Sequence, residues 1–230
     1  MAMQVRYDIL VQGNSLALAD GFLGLSSVVL LHTQAGPVLF DTGHHATKRR
    51  LLTGLARHGL KSEDVAAVIL SHLHFDHANN LELFPHAQVY VSAAECAYAR
   101  DPHPDDLYVP GHLLGQLEAM ETHLLEAEGE IVPGVRWLAS PGHTPGLIAL
   151  VLDDTPQGRV VLASDAIKTA KEALERCCDL AFDPAARGSA SIARLLDLAP
   201  DRLVPGHFPE MRRTAEGWTW DAAEVPLLIR

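Results

Sequence analysis

The run Val65-Ala66-Ala67-Val68-Ile69-Leu70 passes directly into Ser71-His72-Leu73-His74-Phe75-Asp76-His77. The first half is apolar and β-branched, the pattern of a buried strand. The second half sets three histidines and an aspartate within six positions, too dense for an ordinary polar loop. His72 and His74 therefore leave the end of a strand, where α/β folds place their chemistry. Asp76 and His77 follow as the chain turns into a short helix, predicted over residues 76–84 and stopped by Pro85. Imidazole and carboxylate groups converging at one strand end suit a borderline divalent metal such as zinc. For Asp76 alone, a helix cap is the simpler alternative.

The rest of the chain delivers further groups of the same type. Residues 1–12 alternate through Val5, Tyr7, Ile9 and Val11 as a half-buried strand. Residues 26–32 and 37–41 read as a hairpin across Gln34-Ala35-Gly36, ending at Asp41-Thr42-Gly43. Residues 46–58 form an amphipathic helix with Leu51, Leu52 and Leu55 as its apolar stripe. A strand at 87–91 precedes Ser92-Ala93-Ala94-Glu95, which reads as a capping box. The stretch from Asp101 to Asp106 reads as a solvated loop. Residues 92–120 are the expected cover of the site, with Cys96, Tyr98, Leu107, Tyr108, Leu113 and Leu114 as an apolar pocket lining. Strands at 122–127 and 135–139 lead to Pro141-Gly142-His143-Thr144-Pro145-Gly146, a stiff loop that fixes where His143 points. A hairpin of 147–152 and 159–163 delivers Asp165. Helices are predicted at 168–178 and 191–198, and a short strand at 202–204 leads to His207. Trp218, Trp220, Val225, Leu227 and Ile229 form an apolar tail that packs on the core or makes the interface of a homodimer.

A hairpin-then-helix order in both halves fits two sheets packed face to face with helices outside. The expectation is an α/β chain, a four-layer αββα sandwich, as one domain over residues 1–230. The balance of 18 basic against 29 acidic residues, −11 overall, argues against a nucleic-acid partner and leaves a small molecule as the expected one. The longest apolar run, residues 147–152, is too short for a membrane span. The first residues lack the pattern of a signal peptide, so a cytoplasmic location is expected. Cys96, Cys177 and Cys178 form no C-x-x-C pair and read as reduced packing residues, the latter two within the 168–178 helix. No G-x-S-x-G pattern offers a serine nucleophile.

In order, Asp41 in Phe40-Asp41-Thr42-Gly43, His72-x-His74-x-Asp76-His77, His143 in its proline-glycine loop, Asp165 in Ala163-Ser164-Asp165 and His207 in Pro205-Gly206-His207 resemble the motif set of the metallo-β-lactamase superfamily. The resemblance implies the αββα fold and a dinuclear site. His72, His74 and His143 would bind one metal, and Asp76, His77 and His207 the second. Asp165 would bridge both together with a hydroxide that acts as nucleophile. Asp41 would orient ligands without touching metal. The ions implied are two divalent metals, foremost zinc, with manganese, iron and cobalt also compatible. Asp76 would also pass a proton to the leaving group.

Among branches, an aspartate rather than a cysteine at 165 disfavours the antibiotic-cleaving members. The 23 residues after His207 leave no room for the helical domain of glyoxalase II-like thioesterases. The acyl-homoserine-lactone lactonases are the nearest resemblance, through residues 71–78, Val132-Pro133-Gly134-Val135, the 141–146 loop and Phe182-Asp183-Pro184. Those lactonases carry a tyrosine three residues after the bridging aspartate. Here Lys168 stands there, a candidate catalytic donor to the substrate carbonyl, or else a solvated lysine. The expected activity is hydrolysis of a small ester, foremost a lactone. Thioester or phosphodiester hydrolysis and a mononuclear-iron redox protein are the alternatives.

Overall fold

Period-2 apolar patterns broken by glycine and proline turns set the element order in the computed structural model, which describes residues 4–19 and 21–222. The chain begins with β1 (Arg6–Val11), a small ribbon of β2 (Ala17–Leu18) and β3 (Gly21–Phe22), β4 (Val28–Thr33) and β5 (Gly36–Phe40). Then come α1 (Lys48–Arg57), β6 (Ala67–Ile69), α2 (Phe75–Ala78), β7 (Gln88–Ser92), α3 (Ala93–Arg100), α4 (Leu113–Glu118) and β8 (Thr122–Leu125). The second half runs β9 (Gly129–Val132), β10 (Val135–Ala139), β11 (Ile148–Thr155) and β12 (Gly158–Ser164). It closes with α5 (Ala170–Glu175), α6 (Ala185–Asp197), β13 (Arg202–Pro205), β14 (Met211–Thr214) and β15 (Gly217–Trp220).

The strands form a six-stranded sheet, β1-β4-β5-β6-β7-β8, and a seven-stranded sheet, β15-β14-β13-β12-β11-β10-β9. Neighbouring side chains on a strand face opposite ways, so each sheet has two apolar faces to bury. Val29, Leu31, Phe40 and Ile69 of the first sheet meet Trp137, Ile148, Leu150 and Leu162 of the second. On the outside of the first sheet, Leu30, Leu39 and Val68 pack with Leu51 and Leu55 of α1 and Leu113 of α4. On the outside of the second, Val151, Val161 and Leu203 pack with Ala173 of α5 and Ile192 and Leu195 of α6. The result is the four-layer αββα sandwich.

Topology also aims the site. β5, β6 and β7 run parallel, so the residues that follow them leave at one edge of the first sheet. β12 and β13 run parallel in the second sheet, with Ser164 opposite Pro205, so Asp165 and His207 leave side by side.

Several expected elements differ. Leu52 is exposed, because it sits about 100° around the helix from Leu51. The helix expected at 76–84 is two pieces, α2 and a separate 3-10 turn at Leu81–Leu83. α5 stops at Glu175, where Arg176 turns left-handed (φ 54), so Cys177 and Cys178 lie beyond it. α6 starts at Ala185, six residues before the expected 191. β9 and the β14–β15 hairpin were not anticipated, and β8 pairs with β7 of the first sheet. In the tail, Trp218 packs against the outer core of the second sheet and Trp220 against Phe208; Val225, Leu227 and Ile229 lie outside the described residues. Among the described residues, no helix is long and apolar enough to cross a membrane.

Leu150 is fully buried between the sheets, whereas Leu107 is 85% exposed. Leu150→Ala should cost about 2–5 kcal/mol in urea unfolding. Leu107→Ala should stay within about 0.5 kcal/mol. Equal losses would mean that the segment carrying Leu107 is packed.

Candidate metal centre

Five strand ends supply the centre: Asp41 follows β5, Ser71 to His77 follow β6, His143 lies between β10 and β11, and Asp165 and His207 follow β12 and β13. All seven expected ligands, His72, His74, Asp76, His77, His143, Asp165 and His207, are buried. Their histidines share one arrangement, in which one ring nitrogen is tied outward to an oxygen and the other faces inward. His74 Nε2 is 2.9 Å from Asp106 Oδ2 and His77 Nδ1 is 2.8 Å from Asp41 Oδ2. His143 Nδ1 donates to the Leu180 carbonyl at 3.2 Å and His207 Nδ1 to the Leu25 carbonyl at 3.0 Å. The Ser71 hydroxyl donates to Asp41 Oδ2 at 2.8 Å, so it accepts from His72 Nδ1 at 2.9 Å. Each outward bond fixes the tautomer and leaves the inward nitrogen with a lone pair.

The inward atoms converge. The donors of His72, His74 and His143 lie within 4.8 Å of one another, as do those of Asp76, His77 and His207 and those of His72, His77 and Asp165. His143 Nε2 is 3.0 Å from His74 Nδ1 and 3.2 Å from Asp165 Oδ2. His77 Nε2 and His207 Nε2 are each 3.3 Å from Asp165 Oδ1, and His207 Nε2 is 3.4 Å from Asp76 Oδ2. His72 Nε2, His77 Nε2, Asp76 Oδ2 and Asp165 Oδ1 are buried without a hydrogen-bond partner. Each such atom costs about 1–3 kcal/mol if left so. Lone pairs and carboxylates crowded to this degree need positive charge among them. A borderline divalent cation fits this imidazole and carboxylate set.

The electrostatics point the same way. Burial holds the His72 pKa well below the usual histidine range, helped by the crowding of His77 and His74. Burial likewise lowers that of His143, against Asp165. Burial also disfavours charge on His77, but Asp165, Asp76 and Asp41 outweigh it and raise that pKa well above the usual value. His207 is raised in the same way by Asp165 and then Asp76. Burial opposes ionisation of Asp165, yet His207, His77 and His143 hold it well below the carboxylate range. The anionic side of the centre attracts whatever positive charge is available.

The backbone is bent to suit. Asp41 (φ 63) and Ser164 (φ 46) occupy the left-handed region, which costs a residue with a side chain of order 1–3 kcal/mol. At Gly206 an added Cβ would stand 2.0 Å from Asp165 Oδ1, so only glycine lets the strand end carrying His207 pass this close.

Two supporting carboxylates escaped the sequence reading. Asp106, expected in a solvated loop, is buried and accepts from His74, from Tyr98 Oη at 2.6 Å and from Tyr108 N at 3.0 Å. Glu95 makes only half of the expected capping box. Its N–H donates to Ser92 Oγ, but its carboxylate turns inward to accept from Leu73 N at 2.9 Å and Thr144 Oγ1 at 2.7 Å. It thereby ties the His72–His77 segment to the His143 loop, and burial raises its pKa. Local sequence carries no signal for either role, since both depend on partners from distant segments.

A cavity of about 200 Å³ opens over the centre. His74, Asp76, His143, Asp165 and His207 line it, with Phe22, Phe75, Tyr108 and Leu180 as apolar walls and Lys168 beside them. Of the six residues expected from segment 92–120, Tyr108 alone is among the lining. Cys96 and Leu113 sit in the core and Leu107 points to solvent. The remaining apolar walls come from β3, α2 and the loop at 180, where aromatic and leucine side chains can reach over the strand ends. Lys168 has its side chain 13% exposed, with Nζ 2.6 Å from the buried Glu172 Oε1.

The family model described as the metallo-beta-lactamase superfamily matches residues 21–207. An N-acyl homoserine lactonase of Bacillus cereus is 31% identical over 194 residues, 74% of each chain. Metallo-beta-lactamase domain-containing protein 1 of Mus musculus is 34% identical over 204 residues, 88% of this chain and 71% of the mouse protein. The crystal structure of a quorum-quenching N-acyl homoserine lactone lactonase superposes with a TM-score of 0.71 at 26% identity, covering 90% of this chain and 94% of that one. A Staphylococcus aureus structure superposes at 0.74 with 16% identity, covering 97% and 98%, which shows a shared fold.

Asp106→Asn should weaken divalent-metal affinity about 10–100-fold in chelator competition, because it loosens His74. Asp105→Asn, whose side chain is 88% exposed, should change it by less than about threefold. Equal small effects would show that Asp106 does not hold His74 in place.

Proposed function

This chain belongs to the metallo-β-lactamase superfamily of hydrolases, and from that premise we propose that it opens a lactone or a closely related small ester, using two divalent metal ions, foremost zinc. The observation that carries this reading is the cavity itself, whose floor is formed by His74, Asp76, His143, Asp165 and His207 and whose walls are apolar. A polyanion finds little to hold on a chain of net charge −11. A small ester needs an apolar wall beside a few convergent polar groups, which is the arrangement here. The lactonase similarity, at 31% identity over 74% of the chain, supports the same substrate class.

In this reading His72, His74 and His143 would hold one ion and Asp76, His77 and His207 the other. Asp165 would serve both, since its Oδ2 faces His143 and its Oδ1 faces His77 and His207. When bound, such ions supply hydroxide at neutral pH, by lowering the pKa of water from about 15.7 to about 7, and polarise a carbonyl. Asp76, on the floor of the cavity, would take the proton of the newly added hydroxyl and pass it to the ring oxygen as the ester C–O bond breaks. Burial disfavours charge on Lys168, but Glu172 and then Asp165 outweigh it and raise its pKa, so Nζ stays a cationic donor at neutral pH. Glu172 Oε1 and the Leu180 carbonyl steer that ammonium at the cavity wall, where it can meet negative charge developing on the acyl oxygen. Phe22, Phe75 and Leu180 take the apolar part of the substrate and exclude water.

Lys168→Met tests this with a panel of a lactone, a thioester and bis(p-nitrophenyl) phosphate, at constant metal content. The wild type should favour the lactone in kcat/KM, and the variant should lose tenfold or more on it, since one such donor is worth about 10²–10³ at its strongest. Preference for the phosphodiester or thioester would overturn the lactone reading. Unchanged lactone turnover would remove Lys168 from the mechanism.

A further inference from the structure

Asp8, His32 and His58 meet on the first sheet, at the end away from the centre. Asp41 follows one end of β5, while His32 pairs with Pro37 at the other. Register sets Asp8 opposite Leu30 and Arg6 opposite His32, so Asp8 and His32 are diagonal neighbours on one face. His58 comes from the residue after α1, and α1 lies close on β1. A Cβ at Gly54 would stand only 3.1 Å from Leu10 Cβ. That close approach brings the end of α1 over the strand pair.

The donor atoms of these three residues all lie within 4.8 Å of one another. Asp8 Oδ2 is 2.7 Å from His32 Nε2 and 3.6 Å from His58 Nδ1, and the two imidazole rings are 5.6 Å apart. Bonds of about 2.0–2.1 Å to a tetrahedral zinc set adjacent ligand atoms roughly 3.4 Å apart. The two observed distances bracket that value. All three side chains are partly exposed, so rotation about side-chain bonds suffices to close the triangle. A hydrogen bond from His32 to Asp8 satisfies that pair by itself. A shared cation also accounts for the second imidazole nitrogen, His58 Nδ1, that faces the same carboxylate oxygen.

We propose that Asp8, His32 and His58 form a cation site separate from the centre, taking a borderline divalent ion such as zinc through two imidazoles and one carboxylate. None of the three lines the cavity of the centre. Three protein donors leave a further position for water. Gln157, from the β11–β12 turn, lines the same depression and brings an amide beside it; Arg6 lines it too, and its charge opposes a cation. The donors are partly exposed, so binding should be weaker than at a buried site. The ion would clip β1, β4 and the end of α1 together.

Equilibrium dialysis of the metal-free chain against Zn²⁺ tests this, comparing wild type with Asp8→Asn and His58→Gln. Wild type should bind one more equivalent than either variant, in a weaker class, whatever the number of tighter equivalents. Far-UV circular dichroism and Tm in EDTA confirm that the variants fold, and His32→Gln replaces either one that does not. Equal equivalents in wild type and folded variants would overturn the site and leave only a hydrogen-bonded Asp8–His32 pair. The readout is a difference in count, so it is independent of the proposed activity.

Discussion

The carboxylate of Asp41 is the tie on which the centre depends. It accepts from Ser71 N at 2.7 Å, from Ser71 Oγ and from His77 Nδ1, and Ser164 Oγ lies 3.2 Å away. Those partners come from the segment after β6 and from the end of β12 in the opposite sheet, while Asp41 itself follows β5. A buried carboxylate without such donors would carry a large desolvation cost, so the four contacts and the charge stabilise one another. Through Ser71 the same tie reaches His72 and sets which of its nitrogens faces inward. Glu95 repeats the device on the other side, joining Leu73 to Thr144. Two buried carboxylates thus hold the loops that the sheets deliver.

This explains why the fold suits the chemistry. The inter-sheet core sets the distance between the two sets of strand ends, and parallel pairing brings Asp41 beside Ser71 and Asp165 beside His207. Close packing then leaves little freedom in that spacing. The strained backbone at Asp41 and Ser164 is tolerable because the surrounding contacts over-determine it. Positive charge brought in among the inward atoms completes what the polypeptide leaves unsatisfied.

The strands around His72, and the residues that converge with it, were legible because each carries its own local signal. A β-branched run before His72, the prolines and glycines around His143, and the small residues before Asp165 all constrain the chain within a few positions. Asp106 and Glu95 were not legible in this way. Asp106 shares its composition with its solvated neighbour Asp105, and Glu95 sits at a capping position that explains it locally. Their roles arise only when segments about twenty to fifty residues apart close on them. The cavity walls were misplaced for the same reason, since Phe22 and Leu180 line the cavity while Leu107 points to solvent. Leu52 lies outside the buried stripe of α1 because one step along a helix turns a side chain about 100° from its neighbour.

The central claim is that the inward atoms of seven side chains enclose two cation positions. Anomalous diffraction at the zinc edge, from crystals grown with zinc and no chelator, tests it most directly. Two strong peaks are expected roughly 3.5 Å apart, one among His72, His74 and His143 and the other among Asp76, His77 and His207, with Asp165 touching both. A single peak at full occupancy, or a centre in which these nitrogens bond only to water, would contradict it.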